Sequence, residues 1–153
     1  MDRVKGFTLV ELMVTIAVAA ILLGIAVPSF QSIARNNAVK ATTNDLVSTI
    51  NTARLQSVST RSNVEIKPAS GGWADGWRLN FSDDSSEEDG DFVPRNKVSV
   101  SRTKGSGDLV FLARGGLDGG GEAEFTVSHV DANSISRTFC VSFFGKVTQG
   151  GCS

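Results

Sequence analysis

The first part of the sequence is dominated by one long apolar stretch. It extends from Phe7 to Val27, and Glu11 is its only charged residue. In an α-helix, about 21 residues extend roughly 31 Å, which matches the hydrocarbon thickness of a bilayer. The pattern therefore predicts a helix that can span a membrane, with a carboxylate near its start that requires an explanation.

The apolar positions continue beyond this stretch in an amphipathic pattern. Over residues 30–61, apolar side chains such as Val39 and Leu46 recur at helical spacing among polar ones. One helix is therefore predicted from Thr8 to Arg61. Pro28 lies inside it and has no N–H to bond four residues back, so a kink is predicted there.

After Ser62 the pattern changes to an alternation of apolar and polar residues, which is typical of antiparallel strands with one solvated face. The alternation is clearest in Val98–Ser101 and Phe125–Ser128. The predicted fold class is α+β, with one long N-terminal helix followed by an antiparallel β-domain. Six strands are predicted, namely Asn63–Lys67, Trp77–Phe81, Lys97–Arg102, Asp108–Leu112, Glu122–His129 and Ser136–Phe143.

Length and charge narrow the classes of function. A chain of 153 residues leaves room for one small domain beside the helix, and a net charge of −1 argues against electrostatic capture of nucleic acid.

Arg3 and Lys5 precede the apolar stretch, so its N-terminal end is expected to face the cytoplasm. No Ala-x-Ala-like cleavage site follows the stretch, and we expect it to be retained.

The two cysteines, Cys140 and Cys152, lie near the C-terminus. In an exported domain they are expected to form a disulfide, with Phe143 and Phe144 packed beneath it. The alternative is a metal site, but two cysteines and the single histidine, His129, make a poor ligand set for zinc.

Several other residue clusters invite comparison with known kinds of site. The acidic stretch Asp83–Asp91 lacks the ligand spacing of a calcium loop and is expected to be a solvated loop. The glycines between Gly115 and Gly121 lack the Gly-Lys-Ser/Thr of a phosphate loop, and we expect a wide hairpin turn. Trp77 is expected to anchor the core, and Trp73 is the better candidate for a surface aromatic.

The N-terminal residues carry the most specific motif. The sequence Gly6-Phe7-Thr8-Leu9-Val10-Glu11, followed by an apolar helix and Pro28, resembles the class III signal of type IV pilins and type II secretion pseudopilins. The resemblance implies that a prepilin peptidase cleaves after Gly6 and that the new amine at Phe7 is methylated. It also implies that Glu11 neutralises the terminal amine of a neighbouring subunit during filament assembly.

The rest of the chain narrows this resemblance to the FimT/FimU and GspH group of minor pilins. The similar pieces are Leu46–Val58, Val64–Ile66, Gly76-Trp77, Phe111–Gly116, Cys140–Ser142 and Gly145–Val147. The resemblance implies the type IV pilin fold. Its segments are a leader at 1–6, a transmembrane and polymerisation helix at 7–30, an amphipathic continuation at 31–62, and a β-domain at 63–153 with a C-terminal disulfide loop.

By this resemblance the chain is a minor type IV pilin that primes pilus assembly and sits in a tip-associated complex, serving twitching motility and adhesion. The implied partners are other minor pilins, the major pilin, the prepilin peptidase and the inner-membrane assembly platform. The chain would lie in the bacterial inner membrane with a periplasmic C-terminal domain before it enters a pilus. No enzymatic activity, cofactor or metal is expected. The alternative is an H-type minor pseudopilin of a type II secretion system.

DNA binding is the less favoured alternative. Some FimT-type pilins are DNA receptors that use the arginines of a C-terminal Gly-Arg-x-Arg segment near a disulfide. This chain has Gly145-Lys146-Val147-Thr148 there, which keeps one cation. Arg137 and Lys146 are the only basic residues from Ser134 onward, so they are the candidates for a weak, salt-sensitive DNA contact.

Overall fold

A computed structural model describes residues 7–81, 91–95 and 97–153. Helix α1 extends from Leu9 to Thr60 and continues without interruption through Pro28. This confirms the predicted helix to within one residue at each end. The chain divides after Ala34 into two compact units, and α1 contributes to both.

The second unit contains the strands, which form two antiparallel sheets. The strands are β1 Val64–Ala69, β2 Gly72–Phe81, β3 Asp91–Phe92, β4 Val98–Lys104, β5 Leu109–Phe111, β6 Ala123–His129, β7 Ala132–Val141 and β8 Val147–Gln149. The first sheet has the order β3-β2-β1-β5, and the second has the order β4-β6-β7-β8. The fold is therefore a long N-terminal helix combined with antiparallel sheets, as predicted.

Within this unit, α1 buries one face against the sheets. Its buried residues recur every three to four positions and so lie on one side of the helix. They are Val39, Thr42, Leu46, Thr49, Ile50, Ala53 and Ser57. The Thr49 and Ser57 hydroxyls donate to carbonyls of the helix itself, whereas the Thr42 hydroxyl accepts the Arg95 N–H.

Aromatic side chains join the helix and the sheets into one core. Trp77 of β2 is buried, as predicted, and its indole N–H donates to the Thr49 hydroxyl of α1 at 3.1 Å. The prediction that Trp73 is a surface aromatic is wrong, because this side chain is only 8% exposed. Its ring meets Phe125 of β6 edge-on at 4.9 Å and so links the two sheets.

The wide hairpin turn expected around the glycines is found only in part, because the chain reverses in a tight turn that an antiparallel bridge between Phe111 and Leu117 closes. β5 belongs to the first sheet and β6 to the second, so the segment between them crosses from one sheet to the other. It contains a tight turn that ends at Gly116 and a 3-10 helix, Asp118–Gly120.

Of the eight strands in the described part of the chain, two were not predicted, because β3 and β8 have only two and three residues and show no periodicity of their own. β7 begins at Ala132 and ends at Val141, so it lies earlier in the chain than expected. Phe143 and Phe144 therefore lie in a turn. Phe144 is 71% exposed, and the expectation that it packs beneath the disulfide is wrong.

Candidate assembly site

The first turn of α1 is closed by a reciprocal capping arrangement. Glu11 Oε2 accepts hydrogen bonds from the Thr8 amide at 3.3 Å and from the Thr8 hydroxyl at 3.2 Å. In return, the Thr8 hydroxyl accepts from the Glu11 amide at 3.3 Å. Thr8 is thus the N-cap and Glu11 the third helical residue of a capping box.

This arrangement leaves part of the Glu11 carboxylate available. A carboxylate can accept about four hydrogen bonds, and Oε1 has no partner among the residues that the structure describes. A negative charge is also favoured at a helix N-terminus, because the first amide groups carry partial positive charge. Glu11 can therefore cap its own helix and still bind a cation from outside the chain.

Thr8 was not predicted as a functional residue, although its signature was present in the sequence. Thr8-Leu9-Val10-Glu11 is the Thr-x-x-Glu pattern that precedes an apolar helix in a capping box. Phe7, the expected new N-terminus, is 82% exposed beside this cap. Gly6 lies outside the described residues, so cleavage after it stays a prediction.

The apolar side chains of α1 before Arg35 have no burial partner within the described chain. From Leu9 to Ile33, its large apolar side chains are each 50% to 73% exposed. The helix is long and apolar enough to cross a membrane. So much continuous apolar surface marks a segment that lies in lipid or against other apolar helices.

The C-terminal end is held by a disulfide and a carboxylate. Cys140 of β7 is bonded to Cys152. Glu124 of β6 accepts the Cys152 N–H at 2.8 Å and the Thr103 hydroxyl at 2.6 Å. The Thr103 hydrogen bond first, then the Cys152 amide and the charge of Lys104, hold the pKa of Glu124 below its ordinary value.

The Glu122 carboxylate also lies near the two sulfur atoms, within 4.8 Å of them. This trio offers donor atoms of a kind that metals bind. Both sulfurs are bonded to each other, however, and a disulfide supplies no thiolate to a metal ion. The cysteines therefore serve to fix the tail to β7.

Two models of known protein families match the sequence of this chain. Residues 1–27 match the prokaryotic N-terminal methylation motif, and residues 42–145 match the model of type II transport protein GspH. The chain belongs to the GspH family. Its members are structural components of pili and pseudopili and not enzymes. No curated protein sequence matches the chain.

Two solved structures share the GspH-family fold of this chain. Both are crystal structures of the type IV minor pilin FimU of Pseudomonas aeruginosa, in two space groups. The first is 19% identical with a TM-score of 0.62, covering 74% of this chain and 89% of FimU. The second is 18% identical with a TM-score of 0.60, covering 72% and 91%. At this identity the likeness establishes the pilin fold.

The other candidate residues that the structure describes in this GspH-family domain are held by local partners. His129 is buried, and its Nδ1 accepts the Asp131 N–H at 3.2 Å. Within the acidic stretch, residues 83–90 lie outside the described residues. Asp91 is described and forms an ion pair with Arg78 on the neighbouring strand.

The two candidate DNA contacts are not brought together. Arg137 lies within β7 opposite Val127, whereas Lys146 lies in the turn beyond the end of β7 at Val141. The strand between them separates their backbones by more than about 13 Å, at roughly 3.3 Å per residue. The arrangement does not reproduce two adjacent cations.

Proposed function

We propose that this chain is a minor type IV pilin that primes pilus assembly and remains in a tip-associated minor-pilin complex. The observation that carries the proposal is the unburied apolar helix with Glu11 capped at its start. Outside the lipid, such an apolar helix is stable only when it packs against similar helices in a bundle. The exposed β-domain then supplies the surface by which neighbouring pilins are recognised.

In this proposal Glu11 selects the register of assembly. Cleavage after Gly6 would create an ammonium group at Phe7, close to the positive end of its own helix, where a cation is disfavoured. The free Oε1 of a neighbouring Glu11 can accept that ammonium group. In an apolar bundle an unpaired charge is costly, so the paired register is strongly preferred over a shifted one.

The fold of FimU supports the assignment to the pilus. FimU is a type IV minor pilin, and the likeness covers 89% of its chain. The partners would be other minor pilins, the major pilin, the prepilin peptidase and the assembly platform. The basic residues Arg3 and Lys5 favour a cytoplasmic N-terminus and a periplasmic β-domain before assembly.

Deleting the gene in its own host tests this assignment. Surface pili and twitching are scored beside the secretion of an exoprotein that depends on type II secretion. Loss of pili with intact secretion is the expected result. Expression of the full chain from a plasmid should restore pili, which separates its role from effects on neighbouring genes.

A second function is favoured by one observation. The matching family is described as a type II transport protein, and the match covers residues 42–145. The chain would then be an H-type minor pseudopilin with the same leader, helix and sheets. In the deletion strain this function predicts lost exoprotein secretion with normal pili, which is the opposite of the result expected above.

A further inference from the structure

Two tight turns in the β-domain are built on the same plan. In the segment 112–116, the Gly115 N–H donates to the Leu112 carbonyl at 2.7 Å and the Leu112 N–H donates to the Gly116 carbonyl at 2.9 Å. In the segment 142–146, the two equivalent hydrogen bonds have the same lengths, 2.7 and 2.9 Å. The turns thus display the residues at equivalent positions in the same way.

The two turns lie side by side. The Leu117 N–H, directly after the first turn, donates to the Phe143 carbonyl in the second at 2.9 Å. Gly115 and Gly145 adopt positive φ angles of 82° and 73°. A methyl group at Gly145 would lie 2.6 Å from the Gly115 carbonyl oxygen, so only glycine allows this approach.

Helix α1 ends against these turns. The Arg54 Nε donates to the Gly115 carbonyl at 3.3 Å. A methyl group at Gly115 would meet Val58 at 2.8 Å, so Val58 lies directly over that turn. The Ala113 N–H also donates to the Asn63 side chain, just after the end of α1. The last turn of α1 and the paired turns therefore form one continuous surface.

The side chains of this surface are basic and apolar, and all but the half-buried Arg54 are exposed. We call it the twin-turn surface and define it by Arg54, Val58, Arg61, Arg114, Phe144 and Lys146. Arg114 and Phe144 occupy equivalent positions at the tips of the two turns, and both are exposed. Arg61 directly follows α1 and is exposed as well.

The cations of the twin-turn surface differ from most others in the β-domain. Five basic side chains pair with carboxylates, in the pairs Lys67–Glu65, Arg78–Asp91, Arg95–Asp45, Lys97–Asp131 and Lys104–Glu122. Within residues 7–81, 91–95 and 97–153, the four cations of the twin-turn surface pair with no carboxylate. Four cations around an exposed phenylalanine make a strongly one-sided surface in a chain whose net charge is −1.

We propose that the twin-turn surface binds a carboxylate-bearing surface of a neighbouring pilin subunit. The inference rests on the proposed function, because it names the contact that a pilin in a complex would use. Phe144 would insert as the apolar anchor, and Arg114 and Lys146 would pair with acidic side chains around it. Arginine and aromatic residues dominate the binding energy of protein interfaces, and rim charges steer association and select the partner.

A protein partner fits the surface better than a nucleic acid does. Four cations can neutralise few phosphates, and binding that depends on so few contacts is weak at physiological salt. The apolar side chains of Val58 and Phe144 gain little beside a phosphate backbone. Against a protein surface they remove apolar area from water and exclude water from the surrounding ion pairs.

Site-directed photo-cross-linking in the native host tests this contact. The full chain carries p-benzoylphenylalanine in place of Phe144, and cells are irradiated while they assemble filaments. We expect a cross-link to another pilin-type subunit, identified by mass spectrometry, at a peptide that carries Asp or Glu. Arg114→Glu and Lys146→Glu each reverse one charge of the twin-turn surface, and each should lower the cross-link yield about fivefold. This is the effect of losing one exposed ion pair of favourable geometry.

Arg137→Glu is the matched control, because it makes the same charge change on β7, outside the twin-turn surface, and should leave the yield unchanged. Changing the cross-linked partner's carboxylate to Lys should restore the yield in Arg114→Glu. The proposal is overturned by a cross-link to nucleic acid, by a pilin cross-link that neither reversal affects, or by an equal loss in Arg137→Glu. If the chain is needed for pili but Phe144 cross-links no pilin, this surface assignment fails while the proposed function stands.

Discussion

Thr8 and Glu11 hold the start of α1 from both directions. Each side chain accepts the backbone N–H of the other residue, and the two side chains also bond to each other. The Glu11 carboxylate therefore has a local role in capping its own helix and a proposed role in binding the amine of a neighbour. Substitutions at the two positions can separate these roles.

We predict that Glu11→Gln is cleaved normally but enters filaments about tenfold less than wild type, since a hydrogen bond to a charged group contributes roughly 1.5 kcal/mol or more. Glutamine can still complete the capping box, so only the charge is lost. Thr8→Ala is the control: it removes the N-cap, which costs about 1 kcal/mol of stability, and it keeps the Glu11 charge. Immunoblots of sheared filaments measure incorporation, and equal incorporation of Glu11→Gln and wild type would refute the role of the charge.

A second prediction concerns Gly6 and the leader. Gly6→Val should block processing, because a branched side chain prevents close approach of the peptidase to the backbone. The precursor would then accumulate in the membrane and migrate more slowly than the mature chain on a gel. Gly24→Ala is the control, since an added methyl group there meets no atom within 4 Å. Normal processing of Gly6→Val would contradict the predicted cleavage site.

The disulfide should stabilise the C-terminal tail without affecting membrane insertion. Cys140 and Cys152 are 12 residues apart, and closing a loop of this size contributes about 3 kcal/mol in the chain-entropy account. Cys152→Ala should therefore make the tail sensitive to limited proteolysis while the chain stays in the membrane fraction. Unchanged resistance of the tail to protease would show that other contacts hold it.

The hydrogen bond between Trp77 and Thr49 should couple α1 to the first sheet. Thr49→Val leaves the buried indole N–H without its acceptor, which costs about 1–3 kcal/mol of unfolding free energy. Trp77→Phe removes donor and ring area together. In the double variant the loss should be smaller than the sum of the two single losses, as measured by thermal unfolding in detergent. Strict additivity would mean that this bond contributes nothing.

The tail should also loosen in acid. The pKa of Glu124 is lower in the folded chain than its ordinary value of 4.5, chiefly because Thr103 and then Cys152 donate to it. Its stabilising contribution is therefore complete above pH 4.5 and is lost as the pH falls through the lowered pKa. Hydrogen exchange of the residues around Cys152 should show this loss of protection.

Glu124→Gln should abolish that acid dependence at the tail. Asp131→Asn is the matched control, because the pKa of Asp131 is also lowered, first by a hydrogen bond from Lys97, but this carboxyl lies away from the tail. If the tail of Glu124→Gln still loses protection below pH 4.5, the Glu124 carboxylate is not what anchors Cys152.

Helix α1 could be predicted from the sequence because its helical pattern of apolar residues is long. Fifty-two helical residues repeat one periodicity, and errors at single positions do not change the result. β3 and β8 could not be found in this way, because short strands form only when a neighbouring strand supplies the hydrogen bonds. Their existence depends on tertiary pairing that local pattern does not encode.

The errors at Trp73 and Phe144 have a related cause. Both residues lie close to the end of an element, and there exposure is decided by which sheet the strand joins and where it stops. Trp73 is buried because β2 starts at Gly72 and faces the second sheet through Phe125. The twin-turn surface was missed for the same reason, since its two turns are 30 residues apart in sequence and meet only in the folded domain.

The uninterrupted passage of α1 through Pro28 has a mechanical consequence. Proline has no N–H, so the carbonyl of Gly24, four residues earlier, receives no helical hydrogen bond from it. Gly24 also has the greatest backbone freedom of any residue type. We expect this turn to unwind first when the rod is pulled along its axis, so that a filament of such subunits would stretch before its subunits separate.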